Sequence, residues 1–223
     1  MLDAGFNLAL ERLRACPEFA RLIPEVRSNL AWALPGARGP ADVIAVEGRI
    51  TVVAGRPCPA GPPAPGASDH MARLVVELGR RDPMVRAGVN FASNPRLDRW
   101  LAAYAEARGW VFAVIDRARE PGDLEREDRP STPWKVEEAV RACGGRVPKL
   151  LRETAAVGKE PLSFLVGPDP VTVVDEACAL ARAWSAEAGD AYLTRWPARA
   201  EAGGPARAEA GGSQPVPDPG GSR

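Results

Sequence analysis

The sequence has little of several features that define common classes of protein. Its 223 residues include one histidine, His70, and its 29 lysines and arginines are balanced by 29 aspartates and glutamates. One histidine excludes a metal centre built from a histidine cluster. A formal net charge of zero argues against a protein that coats a polyanion, which would need a basic surface. We therefore expect no nucleic-acid partner, while a local basic pocket stays open.

Closely spaced cysteines and long hydrophobic runs are also absent from the sequence. The four cysteines stand far apart, at Cys16, Cys58, Cys143 and Cys178. This spacing is typical of reduced thiols in the cytoplasm rather than of a zinc site or a disulfide scaffold. Apolar stretches such as 110–115 are far shorter than the ~20 residues of a membrane-spanning helix, and no signal-peptide pattern opens the chain. These absences predict a cytoplasmic protein with no membrane partner.

Proline and glycine, by contrast, are abundant, with 23 and 22 residues respectively. Many of them lie at the C-terminus, where PARAEAGG at 197–204 is repeated in full at 205–212. No apolar residue larger than valine occurs after position 197, so burial cannot offset the entropy of ordering this segment. We expect a folded domain over residues 1–190 and a disordered tail over residues 191–223.

Alternating helical and strand patterns predict the architecture of the folded part. Helical spacing and capping residues predict helices over 6–13 and after Ser68 (ending at Gly79), Asn94, Thr132 and Asp169. Strand patterns cover 26–34, 49–54, 85–91, 110–115 and 161–166, of which 110–115 reads as buried. This order indicates a layered α/β domain, and polar alternation in several strands fits a mixed or antiparallel sheet better than a parallel one. No dinucleotide fingerprint follows the first strand and no P-loop motif occurs.

The segment Gly66-Ala67-Ser68 is the most informative candidate for a binding site. It leaves a loop rich in proline and glycine and enters a predicted helix, whose N-terminal N–H groups and dipole favour a bound phosphate or another anion. His70 lies in the first turn of that helix, where it could contact the anion. The alternative is a polar first turn that faces solvent.

Further charged residues stand at the ends of predicted strands. Arg49 opens a strand among apolar neighbours, and arginine suits bidentate phosphate binding. Lys159 and Glu160 precede another strand, where the lysine could contact a phosphate and the carboxylate could hold Mg²⁺. Asp116 closes the 110–115 strand and is a second candidate metal ligand. The alternatives are an exposed edge charge at Arg49, solvated loop charges at 159–160 and a turn-forming aspartate at 116.

Two asparagines lie inside predicted strands, where asparagine is disfavoured. Asn29 and Asn90 are therefore expected to bind either a neighbouring backbone group or a ligand.

Six motifs resemble, in order, those of one known family. Residues 25–50 (EVRSNLAWALPGARGPADVIAVEGRI) resemble its opening, and PGASDHMAR and RRDPMVRAGVNF resemble its next two elements. VIDRAREP, STPWKVEEAV with the following CGG, and VGKEPLSFLVGPDPVTVV complete the order. Residues 2–185 thus resemble the ThiN domain, the archaeal-type thiamine-phosphate synthase. Pro65 departs from the pattern because it stands where the family usually has phenylalanine, so we expect that loop to pack differently.

The resemblance implies an enzyme that joins hydroxymethylpyrimidine diphosphate to hydroxyethylthiazole phosphate, giving thiamine phosphate and pyrophosphate. Both substrates are small molecules, and Mg²⁺ is the implied cofactor. The implied fold is a three-layer α/β/α sandwich with a mixed, mostly antiparallel sheet, similar to AraD-like aldolases and to the C-terminal domain of hydroxymethylpyrimidine-phosphate kinase. The family's synthases depend on an arginine and a histidine, which map by motif onto Arg49 and His70 as catalytic residues. Gly66, Ala67, Ser68, Lys159, Asn29 and Asn90 are then the candidate substrate-binding residues.

Two functions stay open at this point. The first is a stand-alone synthase domain, and the alternative is a non-catalytic thiamine-phosphate-binding sensor domain that works with a separate DNA-binding chain. Retention of Arg49 and His70 favours the enzyme, because the family's regulators lack that pair. An aldolase or epimerase activity is disfavoured because it needs a metal-binding histidine cluster. The oligomeric state is not fixed by the sequence, and a homodimer is one alternative.

Overall fold

A computed structural model describes residues 2–121, 128–156 and 158–188 of the chain. Within these residues the α-helices are α1 (Leu2–Arg14), α2 (Pro17–Ala20), α3 (Asp69–Arg81), α4 (Pro95–Ala107), α5 (Asp128–Ala142) and α6 (Pro170–Ala188). The strands are β1 (Leu30–Ala33), β2 (Val43–Val46), β3 (Ile50–Val53), β4 (Arg56–Pro59), β5 (Pro63–Pro65), β6 (Ala87–Ala92), β7 (Phe112–Ile115), β8 (Leu150–Glu153) and β9 (Leu162–Gly167). The predicted tail over 191–223 lies outside the described residues.

Seven strands form one sheet in the order β5-β2-β1-β6-β9-β8-β7. All neighbouring pairs are antiparallel except β7 and β8, which run parallel and are connected through α5. A parallel pair needs such a crossover, whereas antiparallel neighbours can be joined by short turns. The mixed, mostly antiparallel sheet predicted from the sequence is confirmed.

Helices cover both faces of this sheet. On one face α1, α2, α4 and α6 contribute Phe6, Phe19, Leu97 and Trp184 to a core that includes side chains of β1, β6 and β9. On the other face α3 and α5 pack Met71, Val75 and Val136 against the opposite side chains of the same sheet. The three-layer α/β/α sandwich is therefore confirmed.

The central strand β6 is buried along its whole length because it has helices on both faces. Gly88 lets α3 approach this strand closely: a Cβ atom there would lie 3.2 Å from Val75 of α3 and 3.1 Å from Val166 of β9. Close packing at this point brings the N-terminal half of α3 over the sheet, with the consequence that its first turn reaches the candidate site described below.

Several sequence predictions of elements are wrong in their details. The helix after Ser68 continues through Gly79 to Arg81, and α5 begins at Asp128 rather than at Thr132, with Pro133 inside it. The 110–115 segment is not a buried strand, since β7 ends the sheet and Val114 is 46% exposed.

Four strands were not predicted at all. β2 and β8 are only four residues long and lack an alternating pattern, since β2 is buried at every position. β4 and β5 lie in the proline-rich stretch that the composition predicts to be a loop. β4 pairs with β3 in a separate two-stranded sheet, and β5 pairs on one side only, an arrangement that tolerates residues without an N–H group.

None of the described helices is both long enough and apolar enough to cross a membrane.

Candidate active site

One cavity of about 360 Å³ gathers most of the predicted site residues. It is bounded by the segment before β1, the start of β3, the first turn of α3, the middle of β6, the end of β8 and the loop before β9. Eight of the ten sequence-predicted residues line it: Asn29, Arg49, Ala67, Ser68, His70, Asn90, Lys159 and Glu160. The remaining lining residues are Val26, Arg27, Asp69, Met71, Arg117, Glu153, Gly158 and Leu162.

The first turn of α3 forms one wall of the cavity. Ser68 occupies the N-cap position, but its side chain makes no capping hydrogen bond. His70 follows, and the centre of its ring lies 5.7 Å from that of the Phe164 ring in β9, so the imidazole packs between the helix and the sheet. Asp69 binds Arg73 one turn along the helix, with donor–acceptor distances of 2.7 and 2.9 Å. The positive end of the helix dipole thus lies beside the imidazole at the cavity wall.

Two arginines face the cavity from backbone conformations that non-glycine residues rarely adopt. Arg27 has φ of 69° and Arg49 has φ of 70°. Each such residue costs on the order of 1–3 kcal/mol, and strain of this kind is concentrated at functional sites. The two loops are joined where Ser28 and Ile50 exchange backbone hydrogen bonds of 3.2 and 2.7 Å.

The arginine side chains also connect the two loops. Arg27 Nη1 donates to the carbonyl of Gly48 at 3.4 Å, and Arg49 Nη1 donates to the carbonyl of Val26. Each guanidinium therefore binds the backbone of the opposite loop, so the pair is held at one place on the cavity rim.

Asn29 and Asn90 support this pair of loops. The Asn29 side chain accepts from Val46 N–H at 2.9 Å and donates to Val46 C=O at 3.0 Å, as a neighbouring strand would. Asn90 Oδ1 accepts from Asn29 N–H at 2.7 Å, and its Nδ2 donates to the carbonyl of Arg27 at 3.1 Å. Of the two alternatives that the sequence left open, the structure shows backbone binding, and contact of either asparagine with a ligand stays a prediction.

Lys159 and Glu160 lie in the loop that enters β9. Lys159 exchanges backbone hydrogen bonds of 2.9 and 3.1 Å with Ala156. Glu160 Oε1 accepts from the backbone N–H of Val26 at 2.7 Å, which ties this loop to the segment that carries Arg27. Both side chains line the cavity, as their predicted roles require.

Gly66 and Asp116 do not line the cavity. Gly66 turns the chain with φ of 74° and donates its N–H to the carbonyl of Val43 at 3.0 Å, so it shapes the approach to α3. Asp116 accepts from Ala118 N–H at 3.1 Å and caps a short 3-10 turn, in agreement with the alternative of a turn-forming aspartate. The described residues contain no group of three or more His, Cys, Asp or Glu side chains that could hold a metal ion. Of the two predicted metal ligands, Glu160 lines the cavity and Asp116 does not.

A buried cluster of charges, which sequence reasoning missed, lies beside the cavity. It consists of Arg117, Glu120, Lys135 and Glu153, and each of these residues is at least nine-tenths buried. Lys135 Nζ donates to Glu153 Oε2 at 3.0 Å, Arg117 Nη1 lies 3.7 Å from the same oxygen, and Arg117 also donates to Glu120 Oε2 at 3.1 and 3.2 Å. Three of the four stand in the matched motifs VIDRAREP and STPWKVEEAV, which is the only sequence signal that could have found them.

The cavity lining has more cationic side chains than carboxylates. Its cationic lining consists of Arg27, Arg49, Arg117 and Lys159, with His70 beside them. Its three carboxylates each have a protein partner: Asp69 binds Arg73, Glu153 binds Lys135, and Glu160 binds a backbone N–H. A cavity of this size with converging donors suits a small anionic ligand.

The family model and the sequence relatives that match this chain agree with each other. A family model described as "Thiamine-phosphate synthase ThiN" matches residues 6–179. The chain is 38% identical to the thiamine-phosphate synthase ThiN of Methanothermobacter thermautotrophicus over 182 residues, which cover 82% of this chain and 93% of that protein. It is 32% identical over 156 residues to the bifunctional thiamine biosynthesis protein ThiDN of Methanocaldococcus jannaschii, covering 69% of this chain and 34% of that longer protein. Among solved structures, the C-terminal domain of a phosphomethylpyrimidine kinase superposes with a TM-score of 0.70 at 31% identity, covering 78% of this chain and 99% of that domain.

Proposed function

The chain belongs to the thiamine-phosphate synthase ThiN family, and we propose that the cavity lined by Arg49 and His70 is its active site. The protein is a transferase that joins hydroxymethylpyrimidine diphosphate to hydroxyethylthiazole phosphate and releases pyrophosphate. The observation that carries the proposed site is the convergence of Arg49, His70 and Lys159 on one cavity at the N-terminus of a helix.

The reaction places its largest charge change on the leaving group. The neutral thiazole nitrogen uses its lone pair to form a bond to the methylene carbon of the pyrimidine. The electron pair of the breaking C–O bond passes to the diphosphate, which departs as pyrophosphate, and the thiazole becomes a thiazolium cation. The nucleophile carries no proton at the attacking nitrogen, so no general base is needed. Catalysis then depends on donors that stabilise the departing diphosphate.

Arg49, His70 and Lys159 supply those donors in this proposal. The first turn of α3, with Ala67 and Ser68, adds the favourable end of the helix dipole. Arg27, which shares the rim with Arg49 and has the same backbone conformation, is a further phosphate ligand that the sequence did not reveal. Asn29 and Asn90 hold the two arginine loops in place through their backbone hydrogen bonds.

One of the three cavity carboxylates, Glu160, is placed to hold Mg²⁺. Magnesium is commonly held by one or two carboxylates together with substrate phosphates, and Glu160 is the carboxylate that lies beside the cationic rim. Mg²⁺ bound there would neutralise charge on the diphosphate oxygens. Asp116 caps its own turn and lies outside the lining, so this proposal gives it no role.

The alternative of a non-catalytic sensor domain has no support among the relatives, both of which are named as biosynthetic proteins. We place the protein in the cytoplasm, in line with its four unpaired cysteines. A homodimer stays a prediction.

Substitution of the proposed catalytic pair tests the site. Arg49→Ala and His70→Ala should each lower the rate of pyrophosphate release on the order of 10²–10³-fold, the usual cost of removing one donor to a developing anion. Arg56→Ala is the matched control, because Arg56 is an exposed arginine of β4 that does not line the cavity. Its rate should equal that of the wild type. Rates within a few-fold of wild type in both Arg49→Ala and His70→Ala, with the proteins folded, would show that the active site is elsewhere.

A further inference from the structure

The cavity has two acidic lining residues that the proposed phosphate site does not use, Asp69 and Glu153. Glu153, the last residue of β8, lines the cavity and is 3% exposed. Building on the proposed function, we propose that Glu153 recognises the pyrimidine substrate by accepting a hydrogen bond from its exocyclic amino group.

The two carboxylate oxygens of Glu153 have different surroundings. Oε2 accepts from Lys135 at 3.0 Å and lies 3.7 Å from Arg117. Oε1 is buried, and none of the residues that the structure describes donates a hydrogen bond to it. A carboxylate is an acceptor at both oxygens, and a buried acceptor without a donor is costly. The cavity is therefore where a donor for Oε1 is expected to come from.

The other acidic side chains of the region do not share this arrangement. Asp69 is bound on both oxygens by Arg73, and Glu160 accepts from a backbone N–H at the cavity rim. Glu120 also has a buried oxygen without a described donor, but Glu120 does not line the cavity. Among these four carboxylates, Glu153 alone combines a buried acceptor with a place in the cavity lining.

The chemistry of the two substrates leaves one group that matches this acceptor. Ionised phosphate groups are acceptors and would be repelled by a carboxylate. The thiazole ring carries no N–H group. The exocyclic amino group of the pyrimidine is the one strong donor that either ionised substrate offers. The pyrimidine ring therefore lies at the end of β8, and its diphosphate extends toward Arg49 and the first turn of α3.

Lys135 and Arg117 make this acceptor rigid. Lys135 reaches Glu153 from α5, and Arg117 is itself held by Glu120 at 3.1 Å. Both cations are at least 95% buried, so neither has freedom to release the carboxylate. A rigid acceptor discriminates well, because an incorrect partner leaves it without a hydrogen bond.

The variant Glu153→Gln tests the assignment because it keeps the shape of the side chain. Lys135 has only donors, so the glutamine oxygen should turn to it and the amide NH₂ should face the cavity. The amino group of the substrate then meets a donor. The KM for the pyrimidine diphosphate should rise about 10–100-fold, and the KM for the thiazole phosphate should change less than about twofold.

A substrate analogue gives the sharper readout. The wild type should strongly prefer the aminopyrimidine diphosphate over the analogue with a ring carbonyl in place of the amino group. Glu153→Gln should lose or reverse that preference, because its NH₂ can donate to the carbonyl. Glu77→Gln is the control: it makes the same exchange in an ion pair with Arg80 of α3, away from the cavity, and should keep the wild-type preference.

The possible results separate this proposal from the proposed function. A folded Glu153→Gln enzyme with wild-type preference, or with equal changes in both KM values, would mean that the cluster is purely structural. If this variant fails to fold, the assignment can still be tested with the wild type. Equal rates of the wild type with the aminopyrimidine diphosphate and with its carbonyl analogue would overturn the assignment. Calorimetric binding of the two pyrimidines to the wild type is independent of turnover. If the wild type binds the aminopyrimidine more tightly than the analogue but releases no pyrophosphate, the proposed role of Glu153 is supported and the synthase activity is refuted.

Discussion

The left-handed arginine at position 49 allows backbone strain and side-chain function to be measured separately. Both Arg49→Ala and Arg49→Gly remove the guanidinium and its hydrogen bond to Val26. They differ in how they tolerate φ of 70°, which glycine adopts without steric cost. Any difference in stability between the two variants therefore reports the backbone, in the folded and the unfolded chain, and not the guanidinium.

The size of the difference follows from two opposing contributions. A residue with a Cβ atom costs roughly 1–2 kcal/mol in the left-handed conformation. The glycine variant avoids this cost, but the greater flexibility of glycine in the unfolded chain offsets roughly 0.4–1 kcal/mol of the gain. Arg49→Gly should therefore have a free energy of unfolding about 1 kcal/mol higher than that of Arg49→Ala. For a domain of this size the corresponding shift in Tm is about 2–4 °C.

Urea unfolding and pyrophosphate release, measured on the same preparations, check the prediction. Ala54→Gly is the control, since Ala54 has φ of 49° in the exposed turn between β3 and β4 and does not line the cavity. It should gain a similar free energy of unfolding and keep wild-type activity, whereas both Arg49 variants should be nearly inactive. Equal stability of Arg49→Ala and Arg49→Gly would refute the idea that strain is held at the active-site rim.

Two further predictions concern hydrogen bonds. Asn90→Ala removes the partners of Asn29 N–H and Arg27 C=O and should lower the free energy of unfolding by about 2–4 kcal/mol, measured in urea, while also lowering pyrophosphate release. The pKa of Asp169 lies below its ordinary value of 3.8. Burial is the largest single contribution and raises this pKa, but the hydrogen bonds from Thr172 and from the backbone N–H of Val171 together lower it by more. This stabilisation is complete above the ordinary pKa and is lost as the pH falls through the lowered one, so Asp169→Ala should cost about 1 kcal/mol at pH 7 and less at pH 2–3. An equal cost at both pH values would contradict the assignment.

The sequence predicts those helices and strands that are specified by neighbouring residues, such as a helix with a capping residue. Asn94 followed by a proline predicts the start of α4, and in the structure Asn94 Oδ1 accepts from the N–H groups of Arg96 and Leu97. The short strands β2 and β8 carry no comparable signal. Each is four residues long, and their pairing depends on neighbours that are distant in sequence.

The residues of the candidate site also divide into those that neighbouring residues predict and those that depend on distant partners. His70 and Ser68 could be predicted because a helix begins beside them, and Arg49 because a charged residue opens an apolar strand. Glu153, which stands outside the matched motifs, could not, because a charge at a buried position is stable only beside partners from other elements. The partnership of Arg27 with Arg49 depends on their backbone angles, which no residue pattern specifies.

The proline-rich strand β5 has a consequence for association between molecules. β5 ends the seven-stranded sheet, and its pairing with β2 is flanked by the carbonyl of Pro62 and the N–H of Gly66, both of which bond toward β2. Backbone groups of alternate residues point to the same side, so Ala64 also faces β2, while Pro63 and Pro65 face outward. Neither proline has an N–H group to offer. The outer side of this strand therefore presents no donor to an incoming strand, and a second copy of the chain cannot extend the sheet there.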